Sequence, residues 1–598
     1  MSIYSRLVVG AFFVFLPMAL FAQIDLELQT NVQSDDFISD RYAIGYRVGI
    51  DFEEVRLENF SGKPDILSPS VSSRASGSTG QVSTVAIDGG RSENTKLAFD
   101  GVVIDLAQNH STDFSLLPFE FAQSAEVYKN NLAPIGIKAS AGLVNLNSPN
   151  PFDETKRLKL YLGSFQSYGI SAHYSKRVNR DAFLIGGTLS VASNRFEYIT
   201  RFGETNIAEN LDYIKYSVIG KWNGGNWDAN LFHTGKFAGA GNRYGGKPRQ
   251  TDFLSSLSFK ARLGKFDAKT GYINWYNSFS NSAPVITDTH INHSINAEIS
   301  RKMEFQNLIS LLAIKSRTYI VESTQTGLNT DKELSLVGEA IWRKGLIELG
   351  GAINSLYSFS SGFYPIPSIS AAIIPIETLR FSAEVSRQFR IPSFNDLYWQ
   401  FDGFSKGNPD LLPEDGIKIQ TASIWTPLPF ILSMSFIYGS FENQIIWSPD
   451  SSGVWTAENI GRSHSIIASF SAKYMEFIGK LLFEISAGIS YNNSVDNDKD
   501  SPYYGKNLIY TPRLKANTIL RASYNQIWIM ETRLRYTGER FTTRLNTVSL
   551  PEYFILDTYL RYRFLFVEIN NILNRSYYEQ EGYPMMGINF KAGMEINL

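Results

Sequence analysis

The 598-residue sequence contains no cysteine, which excludes disulfides and thiolate metal centres and leaves backbone pairing and packing to hold the fold. A net charge of consequence is also missing. Lys and Arg total 56 against 58 Asp and Glu, so nothing global argues for nucleic acid as a partner. Beyond the N-terminus no uncharged apolar run reaches spanning length, which excludes a helical membrane protein. The six histidines are scattered, and no nucleophile motif, Ser-His-Asp group or metal-hydrolase arrangement accompanies them. The chain is therefore read as a non-enzyme that requires no cofactor.

What is present begins with a targeting signal. Arg6 supplies a positive start, residues 7–21 are apolar though interrupted by Pro17, and Ala22 precedes Gln23 as a cleavage point, so residues 1–22 are read as a signal peptide. Export without a helical anchor leaves the periplasm, the exterior or the outer membrane. Phe (41) and Tyr (31) are abundant, yet the mean hydropathy is −0.14. A barrel with apolar residues toward lipid, polar residues toward a wet lumen and aromatics at both interfaces produces that average.

Alternation of period two supports this reading. Ile588, Phe590, Ala592, Met594, Ile596 and Leu598 share one face, with Asn589, Lys591, Glu595 and Asn597 on the other. Leu556, Thr558, Leu560, Tyr562 and Phe564 alternate with Asp557, Tyr559, Arg561 and Arg563, and the same holds for Leu379, Phe381, Ala383 and Val385, and for Leu432, Met434, Phe436 and Tyr438. One such segment reads equally well as a half-exposed strand of a sandwich. Repetition over residues 158–598 favours a wall. Brief turns at 375–378 and 426–429 against long polar connections at 390–414 and 492–506 suit tight periplasmic turns and long external loops. At roughly 20 residues per strand with its connection, the span holds about 22 strands, the size of a plugged transporter. The expected fold is all-β: a transmembrane antiparallel barrel over residues 153–598.

Residues 23–152 have another texture. Short β-like runs at 82–87, 96–99, 125–128 and 142–146 are separated by Gly, Ser and Asn, which suits a small globular domain. The stretch from Ser83 through Asp88-Gly89, then Leu97-Ala98-Phe99-Asp100-Gly101-Val102, resembles the plug of TonB-dependent receptors. Leu117-Pro118-Phe119-Glu120, Glu126-Val127-Tyr128-Lys129 and Ala141-Gly142-Leu143-Val144-Asn145 continue it in order and spacing. Within the barrel, Arg390-Ile391-Pro392 to Leu397-Tyr398 and Gly407-Asn408-Pro409 to Pro413-Glu414 resemble the family's mid-barrel pattern, and residues 567–574 with Tyr577 and 582–587 its C-terminal signature.

The resemblance implies an α+β plug in the lumen, placement in the outer membrane amid its lipid, and import of a small-molecule nutrient such as cobalamin or a ferric siderophore, with chain length nearer the cobalamin receptors. It implies a monomer that works with TonB and its inner-membrane energising complex. The alternative is a passive channel or surface-binding barrel not coupled to TonB. In the family, arginines before the first plug glycine and after the Glu-Val strand pair with barrel glutamates. Asp88 and Lys129 stand there instead, so Glu414 is expected to face Lys129 or a different partner.

Ile24, Asp25, Leu26, Glu27 and Leu28, running on to Thr30, are extended in pattern and placed to pair with TonB by strand addition; a plain tail fits equally well. Tyr398, Trp399 and Phe401 fall in an external loop, as ligand contacts or girdle aromatics. The Gly-rich residues 236–249, with Arg243 and Tyr244, read as an external loop suited to an anionic ligand but without phosphate-loop spacing. Asp496, Asn497, Asp498 and Asp500 offer oxygen ligands for calcium but lack the EF-hand glycine and glutamate, so a solvated loop is the expectation. His290 and His293, three apart on a strand, lie on opposite faces and form no ligand pair.

Overall fold

The computed structural model describes residues 52–56, 71–129, 141–200, 202–241, 246–450, 452–525 and 527–597. Residues 1–22, read as a signal peptide, residues 24–30, Arg243 and Tyr244 lie outside the described residues. None of the described helices is long and apolar enough to cross a membrane.

The alternating segments form the wall. Twenty-two strands, from Lys156–Gly163 to Asn589–Asn597, close into an antiparallel barrel, the last pairing with the first from Lys591 opposite Gly163 to Asn597 opposite Arg157. Closure gives every wall strand two neighbours, so no backbone donor row faces lipid unpaired. Along Gly327–Lys344, Asp331, Glu333, Ser335 and Glu339 are buried toward the lumen while Leu334 and Leu336 are about half exposed. An apolar exterior over a polar interior reverses the order of a water-borne protein and fits a hydrocarbon surround.

The two rims differ as the turn chemistry requires. At one rim, strands join through two-residue turns such as Leu263 to Phe266 and Ile478 to Leu481. Gly264 and Gly479 there take φ of +65° and +62°, the left-handed conformation that tight hairpins demand. The opposite rim carries the long connections, including 391–413 and 497–513. Val285–Phe305 and Trp455–Ile478, at 21 and 24 residues, exceed the about 9–11 that cross a bilayer, so the wall rises beyond the membrane toward the long loops. Near the short-turn rim Phe183, Trp222, Trp227 and Phe259 stack in sequence around the outside, centroids 6.0–6.2 Å apart, an interfacial aromatic girdle.

Inside sits the N-terminal region. A five-stranded sheet orders Phe52–Arg56, Ser124–Tyr128, Gly142–Asn147, Thr95–Phe99 and Val102–Ile104, and a hairpin of Val71–Ala75 with Ser83–Ile87 stands toward the long loops. Helical content among the described plug residues is limited to 3-10 turns such as Phe114–Leu116 and Phe119–Phe121. Asp100 and Gly101, at φ +49° and +70°, make the Asp-Gly hairpin that the sequence pattern suggests. The plug core is continuous with the wall: Phe99, Phe114, Phe121 and Leu146 pack in one cluster with inward-facing Leu184, Phe232 and Ile273.

Candidate ligand cavity and plug lock

Beside the apolar contacts, several ion pairs join the plug to the wall. Asp100, at the hairpin turn nearest the short-turn rim, accepts from Lys221 Nζ at 3.2 Å and from Ser148. Glu120 meets Lys215 at 3.1 Å, whose ammonium also lies 3.9 Å from the Phe119 ring centre. Asp113 accepts from Lys236 at 2.5 Å, and Lys236, fully buried, is shared with wall residue Asp252 at 3.4 Å. Asp105 accepts from Lys96 at 2.6 Å, Arg317 at 2.8 Å and the Tyr319 hydroxyl at 2.7 Å. Burial alone would raise the Asp105 carboxyl, but Lys96, then His110 and Arg317, hold it well below the usual carboxylate range. Burial and Lys96 push the neighbouring His110 imidazole down to about 4, so it is neutral near pH 7.

Toward the long loops the polarity reverses. Glu414 Oε1 accepts from wall Arg390 at 2.6 Å and from plug Arg91 at 3.4 Å, while Asn94 of the plug donates to Oε2 at 3.2 Å. Of the two alternatives expected for Glu414, Lys129 or a different partner, the second holds: Arg91 and Asn94 take the carboxylate. Lys129 serves otherwise, its backbone carbonyl accepting from Lys418. The reason is the turn at Asp88 and Gly89, at φ +50° and +66°, which turns the chain so that Arg91 reaches the wall. Gly142 is held at φ +143° with its absent Cβ against the Tyr128 carbonyl, the close approach that only glycine permits.

The mid-barrel motif bridges wall, loop and plug. Ser393 and Asp396 form a capping box on the Phe394–Tyr398 helix, and Asp396 also accepts from Arg390 at 3.4 Å and Trp447 at 2.9 Å. Burial would raise Asp396, but Arg390 and the bonds from Ser393 and Trp447 lower it. The helix start donates to the plug backbone, Phe394 to Ala107 and Asn395 to Gln108, at 3.0 and 2.8 Å. Asn408 fixes the return path by donating to the Ala457 carbonyl at 3.2 Å, while Pro392 and Pro409 line a smaller chamber of about 240 Å³.

Between plug apex and long loops lies a cavity of about 530 Å³, walled by Arg74, Gly89 and Glu93 from the plug and by Trp399, Trp447 and Tyr510 from wall and loops. Trp399 faces it, Tyr398 faces the smaller chamber, and Phe401 is exposed and lines neither. The acidic loop is spent on its own turns: Asp496 accepts from Ser501 and from the Asp498 amide, and lies 3.7 Å from Arg544. No group of metal-ligating side chains occurs among the described residues. His290 turns inward against Trp399 whereas His293 bonds Tyr272 on the other face. Lys236, read above as the start of a loop, belongs to the Trp227–Gly239 strand and is buried; the loop proper starts after Gly239.

Sequence reasoning missed Arg91, Asp105, Asp113, Lys215 and Arg317. The wall residues carried a signal, a charge at the inward position of an alternating strand such as Lys215 beside Ser217 and Ile219; the plug acids carried none.

A closed 22-strand barrel filled by its own N-terminal domain, with a cavity open to the long-loop side, defines a plugged transporter of the outer membrane. Residues 130–572 match the family model described as TonB dependent receptor-like, beta-barrel, and the chain belongs to that family of nutrient importers. It is 23% identical over 434 residues to the vitamin B12 transporter BtuB of Vibrio vulnificus, covering 68% of this chain and 69% of that one. To the vitamin B12 transporter BtuB of Photobacterium profundum it is 21% identical over 556 residues, 86% of each. In fold it resembles a mutant ferric enterobactin receptor, PfeA, of Pseudomonas aeruginosa, with a TM-score of 0.73 at 13% identity over 92% of this chain and 98% of that one.

Proposed function

We propose that the apex cavity captures a scarce, bulky nutrient, cobalamin or a metal chelate, and that TonB, driven by its inner-membrane complex, pulls on residues 24–30 to open a path past the plug. The observation that carries this reading is the charged seam. A plug joined to the wall by discrete ion pairs can be displaced stepwise as water re-solvates each pair. The B12-named relatives favour cobalamin as cargo, and the fold likeness to a ferric enterobactin receptor keeps a ferric chelate in view. Binding and translocation account for the whole cycle, without a chemical step by the chain. Strand addition is the coupling mode that suits the alternating residues Ile24 to Leu28. The test is uptake of radiolabelled cyanocobalamin or ferric chelate by cells expressing the full chain and a variant lacking residues 24–30. Loss of uptake with surface binding retained supports the reading; unchanged uptake overturns it in favour of a passive channel.

A further inference from the structure

The bonds between plug and wall are spread unevenly around the ring. Lys215, Lys221, Lys236 and Arg317 pair with plug acids, Lys269 donates to the Gly101 carbonyl and Asn292 to Gln108, the last two at 2.8 Å. Counted from Lys156–Gly163, these residues stand on the fourth to ninth of the twenty-two wall strands, where Phe232, Leu254 and Ile273 also merge with the plug core. Nearly across the ring, the fifteenth to seventeenth strands are Phe430–Pro449, Trp455–Ile478 and Leu481–Asp496. Among the described residues, no hydrogen bond or ion pair joins these three strands to the plug. The nearest such bonds stand on the flanking strands, from Lys418 to the Lys129 carbonyl and from Lys515 to the Val71 carbonyl.

The three unbonded strands turn small hydroxyls to the lumen. Ser433, Ser435, Ser469, Ser471 and Ser486 are inward and half-buried, while Met434, Phe436 and Phe470 between them face out. Register sets them in rows, Ser433 opposite Ser471, and Ser435 opposite Ser469, which faces Ser490 on its other side. Their side-chain bonds run from wall to wall, Ser433 with Ser471 at 2.7 Å and Ser469 to Ser490 at 2.9 Å. Lys473 and Glu484, nearer the short-turn rim, neutralise each other at 2.8 Å. The face offers exchangeable hydroxyls, with neither bulk nor net charge to hold a passing solute.

Toward the long loops the same strands line the apex cavity through Gln444, Ile445, Ile460 and Asp496. Between cavity and serines lies the row in which Ile437 stands opposite Ile467, and Ile467 opposite Asn492, all three buried. Gly89 of the plug abuts Asn492 so closely that a Cβ there would collide with it. Such a seal is contact without bonds. It opens before the opposite side does, because no buried charge is stranded when it parts.

We infer that the plug leaves the wall first along these three strands, and that the nutrient passes from the apex cavity through the Ile437, Ile467 and Asn492 row onto the serine face. The inference rests on the reading of the chain as an importer and adds which side of the lumen conducts. The bonded side then acts as the hinge that keeps the plug in the barrel.

The chain has no cysteine, so single cysteines report without background. In the full chain purified in detergent, labelling of Ile437→Cys and Ile467→Cys by a small maleimide is compared with that of Leu254→Cys and Ile273→Cys, all four positions being fully buried at the start. Urea is raised within the range in which the barrel keeps its heat-resistant migration. The first pair is expected to label at least about tenfold faster than the second; equal rates, or faster labelling of the second pair, overturn the inference without any cargo being involved. In cells importing radiolabelled cyanocobalamin or ferric citrate, Ser435→Cys and Ser469→Cys are then modified with a bulky maleimide. Modification is expected to cut uptake at least about tenfold with surface binding retained, whereas modified Asn296→Cys, inward and half-buried on the bonded side, keeps its uptake. Uptake that survives modification of both serine positions, no modification of either during import, or an equal loss at Asn296→Cys overturns the inference. None of these touches the import reading, which fails only if uptake survives removal of residues 24–30.

Discussion

Glu414 of the wall and Arg91 of the plug, 323 residues apart in sequence, meet at 3.4 Å on the same carboxylate oxygen that Arg390 holds at 2.6 Å. The two contacts differ in weight. Arg390 is buried with Glu414, whereas the Arg91 side chain is about a third exposed. Glu414→Ala strands a buried guanidinium and is expected to cost about 3–5 kcal/mol. Arg91→Ala should cost at most about 1 kcal/mol. Chemical melting of the purified protein in detergent, followed by hydrogen exchange of plug amides, separates them; equal losses would contradict this ranking.

Lys236 bridges Asp113 of the plug and Asp252 of the wall with no exposure at all. Lys236→Met leaves two carboxylates facing each other without a cation. The expected result is a plug that exchanges its amides faster by orders of magnitude, from a loss of about 3–5 kcal/mol, while the barrel keeps its heat-resistant migration in gels. A barrel that melts together with the plug would show that the wall depends on this cation too.

The His110 imidazole, buried beside Asp105, Lys96 and Arg390, is held down to about 4 against an ordinary 6.5. A folded value below the unfolded one means that the unfolded plug binds the extra proton. The contribution is complete above pH 6.5 and is lost as pH falls from 6.5 toward 4, by at most about 3 kcal/mol. Asp105 adds a loss only below its unfolded value near 3.8. Hydrogen exchange around residues 105–111 should therefore rise between pH 6.5 and 4 beyond its intrinsic pH dependence. His110→Gln is expected to flatten that rise, and an unchanged profile in the variant would assign it to other groups.

Trp399 and Phe401 are two residues apart, yet only Trp399 lines the large cavity; Phe401 is 61% exposed. Trp399→Ala is expected to weaken nutrient binding by about 1–2 kcal/mol through lost contact area, and Phe401→Ala to leave it unchanged, as read by surface binding of the radiolabelled nutrient. Equal effects would place the ligand outside the cavity.

The wall is legible in the sequence because a bilayer outside and water inside impose opposite demands on alternate residues. The parity of Leu556 and Asp557, or of Phe381 and Ser382, therefore reads directly as facing. The Asp100-Gly101 turn was legible for an equally local reason, the left-handed backbone of a tight hairpin. The partners of Glu414 were not. Alternation states which face a side chain takes but not its height or its position around the ring, and those depend on strand shear and on how the plug is rotated within the lumen. So the sequence by itself determined a lipid-facing barrel with a separate N-terminal domain. Only the tertiary structure decided that Arg91, not Lys129, reaches Glu414, that Lys236 is a buried clasp and not a loop, and that Arg74 lies over Tyr510. Charge pairing across a plug and wall is a relation between distant segments, and nothing in either segment alone encodes it.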